Sequence, residues 1–162
     1  MTSTTEHLAQ QLGEALKQRK WKLVTAESCT AGGLAYAITT IPGSSNWLDC
    51  GYITYSNRSK KAMLDVKSQT LNAFGAVSEQ TAREMAEGAL SKSQAQISIA
   101  ITGIAGPDGG TPAKPVGTVW FAWTSTDLGT ESYQNIFSGN RIKIREQSIE
   151  TALKKLIEYL EK

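Results

Sequence analysis

The chain of 162 residues contains a single histidine and only two cysteines. His7 lies in a polar N-terminal stretch, and one imidazole cannot build a multi-histidine metal site or an H-E-x-x-H protease motif. The same scarcity argues against a Ser-His-Asp triad. Cys29 and Cys50 are too few to form a structural zinc site by themselves. These scarcities argue against a multi-histidine metal site and a structural zinc site, and any nucleophilic catalysis must use a base other than histidine.

Long apolar runs and a strong charge of one sign are also missing. No run of about 18 apolar residues occurs, so we expect no membrane-spanning helix, and the N-terminal stretch has no apolar signal core. The net charge is only +2, and the basic residues are spread along the chain, unlike a nucleic-acid footprint. We expect a cytoplasmic protein with reduced thiols and neither a nucleic-acid nor a membrane partner.

Length and composition indicate one globular domain that covers residues 1–162. Hydrophobic residues make up 40% and charged residues 20%, which is the usual globular mixture. Periodicity and turn residues predict strands over about 22–26, 51–55, 97–101, 116–124 and 130–137. They predict helices over about 5–19, 31–38, 78–92 and 141–160, and one more that follows a capping Asn57. This order predicts an α/β fold, a three-layer α/β/α sandwich with a mixed β-sheet.

Three loops follow predicted strands, and in such sheets ligands bind beyond the carboxyl ends of the strands. The loops span residues 27–33, 55–61 and 102–110. We therefore predict a site that is assembled from these three loops.

The first loop, TAESCTAGG, carries two candidate nucleophiles. Ser28 lies where a strand turns into a helix, whose first N–H groups are unpaired and can bind an anion or an oxyanion. Gly32 and Gly33 weaken a helix, which suggests close approach by a ligand or a neighbouring element. In the plainer interpretation Ser28 or Thr30 caps the helix and the glycines serve packing. A helix N-terminus would also lower the pKa of the Cys29 thiol, although a buried structural cysteine is commoner.

The second loop, TYSNRSKKAML, offers a base. A serine hydroxyl is a poor nucleophile without one, and a desolvated lysine can serve because burial favours the neutral amine. Lys60 and Lys61 are adjacent on a predicted helix, so one can face inward while the other stays in solvent. Tyr55 could hold or relay a proton. The alternative is that both lysines belong to a solvated face.

The third loop, TGIAGPDGG, is rich in glycine, and an arginine follows further along. Five of the 14 glycines fall between Gly103 and Gly117, and such a loop can form an anion-binding nest, although it is not a Walker loop. A long hairpin connection is the alternative. Arg141 opens the last predicted helix and could fork onto a phosphate or carboxylate, or it could be an ordinary surface charge.

Six stretches occur in one order: TAESCT-x-GG, TYSN-x-x-K, GAVS, TGIAGPDGG, KPVGTVW and FSG-x-R. Together they resemble the CinA C-terminal domain family over about residues 6–160. The resemblance implies hydrolytic deamidation of nicotinamide mononucleotide to nicotinate mononucleotide and ammonia, in pyridine-nucleotide (NAD) salvage. It implies a mechanism without a metal and without a cofactor, in which Ser28 is the nucleophile, Lys60 is the base and Tyr55 assists. It also makes a homo-oligomer, with a dimer favoured, the expected assembly.

The expected substrate, nicotinamide mononucleotide, would contact the three loops and the start of the last helix. Two alternatives stay open: a catalytically inactive nucleotide-binding or regulatory module of the same fold, and a thiol enzyme that uses Cys29. The predicted binding residues are Glu27, Cys29, Thr30, Gly32, Gly33, Thr102, Gly103, Ala105, Gly106, Pro107, Gly110 and Arg141.

Two positions depart from the commoner motifs of the family. Ala31 stands where glycine is usual, and its methyl group could trim the pocket. Asn140 stands where aspartate is usual, which removes a charge beside Arg141.

Overall fold

The computed structural model describes all 162 residues, and its elements follow one another as helix–strand units that end in a strand pair and a long helix. The five strands are β1 (Leu23–Glu27), β2 (Leu48–Ile53), β3 (Ile97–Gly103), β4 (Thr118–Ser125) and β5 (Glu131–Ile136). The six α-helices are α1 (Ser3–Arg19), α2 (Gly33–Thr39), α3 (Asn57–Leu64), α4 (Ser68–Phe74), α5 (Glu79–Ser91) and α6 (Arg141–Leu160).

The strands form one mixed sheet in the order β2-β1-β3-β4-β5. Strand β1 lies between β2 and β3 and runs parallel to both, whereas β4 and β5 are antiparallel to their neighbours. The carboxyl ends of β1, β2 and β3 therefore share one edge of the sheet. The start of β4 and the end of β5 reach the same edge, because Gly103 pairs with Val119 and Thr118 pairs with Ile136.

Helices cover both faces of the sheet because its side chains alternate between two cores. On one face Leu23, Ile99 and Phe121 pack with α1, α2 and α6. On the other face Val24 and Ala100 pack with α3, α4 and α5. The predicted three-layer α/β/α sandwich with a mixed sheet is confirmed. None of the helices combines the length and the apolar character needed to cross a membrane.

Several predicted boundaries near the carboxyl edge of the sheet were wrong. Strand β2 ends at Ile53, so Tyr55 lies in the loop that follows. Helix α3 is capped by Ser56, whose hydroxyl accepts from Ser59 N at 3.0 Å, and not by Asn57. Helix α4 was not predicted, because only two of its residues, Thr70 and Leu71, are buried and they are adjacent, so the sequence shows no helical period.

Candidate active site

The three predicted loops and the start of α6 meet at the carboxyl edge of the sheet. Ser28 follows β1, and its N–H donates to the Ile101 carbonyl of β3 at 3.0 Å. The Arg141 guanidinium donates to the Tyr55 hydroxyl at 3.1 Å and to the Gly106 carbonyl at 2.8 Å. Arg141 thus joins the second loop to the third.

Lys60 is buried against Ser28. The Lys60 side chain lies on α3 with 1% of the residue exposed, and Ser28 is 7% exposed, whereas Lys61 is exposed. Lys60 Nζ lies 2.9 Å from Ser28 Oγ, 2.7 Å from the Thr54 carbonyl oxygen and 3.2 Å from the Tyr55 carbonyl oxygen. The two carbonyl oxygens accept hydrogen bonds from two N–H groups of the amine. The remaining position of the tetrahedral nitrogen is therefore directed to Ser28 Oγ.

The surroundings of Lys60 favour its neutral form. Burial lowers the pKa of the Lys60 amine from 10.5 to about 8, and the nearby Cys29 opposes that shift only in part. The three hydrogen-bond partners of the Lys60 amine are all uncharged oxygens, and Lys60 takes part in no salt bridge. The serine hydroxyl therefore has a neighbour that can accept its proton near neutral pH.

Cys29 has the opposite setting. The side chain is buried and packs in the core beside α2 and α6. Burial raises the pKa of the Cys29 thiol to about 12, and the Glu27 charge contributes to the rise. Since the thiolate is the reactive species, this position disfavours the thiol-enzyme alternative. The prediction that a helix N-terminus activates Cys29 was wrong, because α2 begins four residues later, at Gly33.

The first turn of α2 is not open to a ligand. Glu27 Oε1 accepts from Leu34 N at 2.9 Å and from Thr30 Oγ1 at 2.6 Å, and Glu27 Oε2 accepts from Ala35 N at 3.0 Å. The expectation that these N–H groups are free for an anion is therefore wrong. The side chains of Glu27 and Thr30 bond each other and the helix, and their contact with substrate stays a prediction.

The two residues before α2 follow a left-handed backbone. Ala31 has a φ of 48° and Gly32 a φ of 91°, a region that glycine adopts far more readily than other residues. Ala31 is thus a non-glycine residue in a left-handed conformation, and the effect of its methyl group on the pocket stays a prediction. A Cβ atom on Gly32 or Gly33 would crowd the side chains of Ile53 or Ile149. The close approach at these two glycines is made by neighbouring elements, as the packing interpretation proposed.

The third loop mixes residues fixed by the fold with residues open to solvent. Thr102 is buried, and its hydroxyl donates to the Ala76 carbonyl at 2.9 Å, while its contact with substrate stays a prediction. Gly103 still belongs to β3, where it pairs with Val119. The remaining predicted residues of the loop divide into the buried Ala105 and Gly106 and the exposed Pro107 and Gly110.

Tyr55 and Arg141 lie on the outer side of the site. Tyr55 is 60% exposed, and its hydroxyl bonds Arg141, not Ser28 or Lys60. Only the main-chain carbonyl of Tyr55 contacts the lysine amine. Asn140 caps α6 by accepting from Lys143 N at 2.9 Å. Asparagine and aspartate cap helices about equally well, so this departure preserves the helix start that presents Arg141.

Two residues of the site were missed at the sequence level. Thr54 is fully buried and supplies the shortest contact of Lys60 through its carbonyl. Arg145 lies one helical turn after Arg141, and its guanidinium is 3.5 Å from the Thr30 carbonyl. The i,i+4 spacing of the two arginines was a signal for Arg145. No group of three or more His, Cys, Asp or Glu side chains is arranged to hold a metal ion.

Comparisons with known proteins identify the family of the chain. The sequence model of the CinA C-terminal domain family matches residues 5–160 of this chain. The chain is 47% identical to a nicotinamide-nucleotide amidohydrolase PncC of Enterobacter agglomerans over 93% of this chain and 94% of the relative. It is 48% identical to the Escherichia coli K12 protein of that name, with 92% and 90% covered.

Solved structures show the same fold. The competence/damage inducible protein CihA of Agrobacterium tumefaciens superposes with a TM-score of 0.97 at 41% identity, over 100% of this chain and 98% of that one. A CinA superfamily protein of Klebsiella pneumoniae gives a TM-score of 0.93 at 39% identity, over 97% and 98%. The chain belongs to the CinA C-terminal domain family.

Proposed function

We propose that the chain hydrolyses the carboxamide of nicotinamide mononucleotide, giving nicotinate mononucleotide and ammonia for pyridine-nucleotide salvage. The observation that carries the proposal is the buried contact of 2.9 Å between Lys60 Nζ and Ser28 Oγ. The names of the relatives, nicotinamide-nucleotide amidohydrolases, support the choice of substrate.

The reaction starts with neutral Lys60. As Ser28 Oγ bonds to the carboxamide carbon, its proton passes to Lys60 Nζ, and the carbonyl oxygen becomes an oxyanion. The lysine ammonium then gives a proton to the departing nitrogen, the C–N bond breaks, and ammonia leaves an acyl-enzyme. A water molecule attacks this ester while Lys60 accepts the water proton. The ester bond to Ser28 then breaks, and the proton returns from Lys60 to Ser28 Oγ.

Main-chain amides of the first loop are the candidate oxyanion donors. Ser28 N is already bonded to the Ile101 carbonyl, but the amides of Cys29, Thr30 and Gly32 donate to no other residue. Loss of one such donor typically slows acyl transfer about 100–1000-fold. The main-chain amides of the buried residues Ala105 and Gly106 are the second candidates for oxyanion donors.

Arg141 and Tyr55 hold the outer end of the substrate in this proposal. Arg141 bonds Gly106 and Tyr55 through two N–H groups, and a guanidinium has five donors, so three remain for a phosphate. Tyr55 orients the two functional ends at once, because its carbonyl bonds Lys60 and its hydroxyl bonds Arg141. This geometry favours orientation over proton relay.

The test is ammonia release from nicotinamide mononucleotide. We expect activity in the wild type and a loss of at least about 1000-fold in Ser28→Ala and in Lys60→Ala, since nucleophile and base act as a unit. Lys61→Ala is the matched control, because Lys61 is the exposed neighbour of Lys60, and it should retain full activity. An inactive wild type, or a fully active Ser28→Ala variant, would contradict the proposal.

A further inference from the structure

Glu27 is a buried carboxylate that the hydrolytic steps do not use. It is 1% exposed and immediately precedes the nucleophile. Helix α2 has Gly32 at its N-cap position and therefore no capping side chain of its own. The Glu27 carboxylate supplies the missing cap from the end of β1, with acceptor distances of 2.6–3.0 Å to Thr30 Oγ1, Leu34 N and Ala35 N.

The main chain of Glu27 is tied to the lysine as well. The Glu27 carbonyl accepts from Thr54 N at 2.9 Å, and the Thr54 carbonyl accepts from Lys60 Nζ at 2.7 Å. On the other side, Ser28 N bonds Ile101 O, and the Ser28 carbonyl accepts from Ala31 N at 3.1 Å. The main chain on both sides of Ser28 is thus bonded to the sheet. The Glu27 carboxylate holds the residues that follow Ser28, through Thr30 and the start of α2.

We propose that Glu27 is a positioning residue, which rests on the proposed Ser28–Lys60 chemistry: its carboxylate fixes the 28–31 turn against α2 and so holds Ser28 Oγ at hydrogen-bonding distance from Lys60. Hydrogen bonds to a carboxylate are short and strong, and three of them converge here. Glutamine has a single acceptor oxygen and would turn an NH₂ group toward an N–H donor. Small displacements of reacting groups cost rate, about 100-fold for 1 Å.

The chain offers a matched control in Glu84. This carboxylate also caps a helix without its own capping side chain, because it accepts from Lys67 N at 2.9 Å and from Thr70 Oγ1 at 2.5 Å at the start of α4. Glu84 makes no hydrogen bond or salt bridge to a residue of the site. A purely structural role for Glu27 predicts that Glu27→Gln, like Glu84→Gln, leaves kcat and the reactivity of Ser28 in the folded protein unchanged.

The experiment compares these two variants by two readouts. The first is kcat and KM for ammonia release from nicotinamide mononucleotide. The second is the rate at which a fluorophosphonate modifies Ser28, followed by intact mass with Ser28→Ala as the blank, which needs no knowledge of the substrate. We expect Glu27→Gln to lower kcat and the labelling rate about 10–100-fold with KM nearly unchanged. Glu84→Gln should match the wild type in both.

Variants of Thr30 provide a second test if Glu27→Gln fails to fold. Thr30→Val removes the hydroxyl that bonds Glu27 and should lower kcat and labelling, while Thr30→Ser keeps the hydroxyl and should restore both. Equal labelling rates in Glu27→Gln and Glu84→Gln, an effect confined to KM, or a wild-type Ser28 without reactivity would overturn the proposal. Rapid labelling that depends on Glu27, without ammonia release, would support the positioning role and reject only the substrate.

Discussion

The buried Lys60 amine predicts the pH dependence of activity. The base must be neutral to accept the Ser28 proton, and the pKa of Lys60 is lowered to about 8 by burial. We therefore expect kcat/KM to rise with pH and to level off above about pH 8, since kcat/KM reports the free enzyme. A pH profile of ammonia release measures this. A profile that is flat between pH 6.5 and 9 would contradict a lysine base.

The same group gives an independent check through stability. Burial lowers the pKa of the Lys60 amine from 10.5 in the unfolded chain to about 8 in the folded protein. Between these two pH values the unfolded chain therefore binds more protons than the folded protein. The free energy of unfolding should therefore rise with pH across this window, and the cost of burying the charge is complete below pH 8. The Lys60→Met variant lacks the amine, so its free energy of unfolding should rise less with pH across this window than that of the wild type.

At the residue scale, the sequence predicted the chemical groups better than their contacts. Scarcity of histidine led to a lysine base, and the helical offset of Lys60 and Lys61 allowed one to face inward. The Glu27 carboxylate and the Tyr55–Arg141 contact could not be predicted in the same way. The first depends on where α2 begins, and the second joins residues 86 positions apart in the chain.

At the level of elements, close contact between α3 and α5 sets the position of Lys60. Gly88 of α5 lies against the carbonyl of Leu64, the last residue of α3, and a Cβ on Gly88 would overlap that oxygen. Because the obstacle is main chain, it cannot rotate away. Any residue larger than glycine must displace α3, which carries Lys60 one turn earlier.

We therefore predict that Gly88→Ala destabilises the protein by about 1–3 kcal/mol and lowers kcat. In a helix without tertiary contacts, glycine to alanine stabilises by up to about 1 kcal/mol, so the sign of the change identifies the steric cause. Urea unfolding and ammonia release measure the two effects. Glu87→Ala, at an exposed neighbouring position, should leave both unchanged, and a stabilised, fully active Gly88→Ala would contradict the prediction.

Elements with strong patterns were predicted, and weakly patterned ones were not. The largely apolar run 97–101 identified β3, because a strand buried on both faces is mostly apolar. Its one polar side chain, Ser98, donates to the Ala86 carbonyl. Strand β2 lies at the edge of the sheet, half exposed along its length, so its end was misplaced by two residues. The start of α2 was misplaced because its cap is a side chain from β1.

At the scale of the molecule, the location of the site followed from a general rule of α/β sheets, that loops at the carboxyl ends of parallel strands converge. The sequence therefore located the edge, but it did not show which loop residues the fold itself would engage. Glu27, Thr30 and Thr102 are engaged in this way. The homo-oligomer, with a dimer favoured, and the cytoplasmic location stay predictions.

The whole fold should report substrate binding even without turnover. A ligand at about 100 times its Kd stabilises the folded state by about 2.7 kcal/mol, which for a chain of this size raises Tm by about 5–11 °C. We expect this shift with nicotinamide mononucleotide in Ser28→Ala, which binds but releases no ammonia. A folded Ser28→Ala without any shift would contradict binding at this site.

The same measurement tests the outer end of the site. If Arg141 holds the phosphate, nicotinamide riboside should give a smaller shift than the mononucleotide in Ser28→Ala. Adding Arg141→Ala should reduce the shift with the mononucleotide toward the value of the riboside, because the phosphate contact is then lost. Lys143→Ala, which changes an exposed charge on the same helix, is the control and should preserve the difference between the two ligands. Equal shifts with both ligands in the parent variant would mean that the phosphate is not bound, and Arg141 would then serve only to join Tyr55 to Gly106.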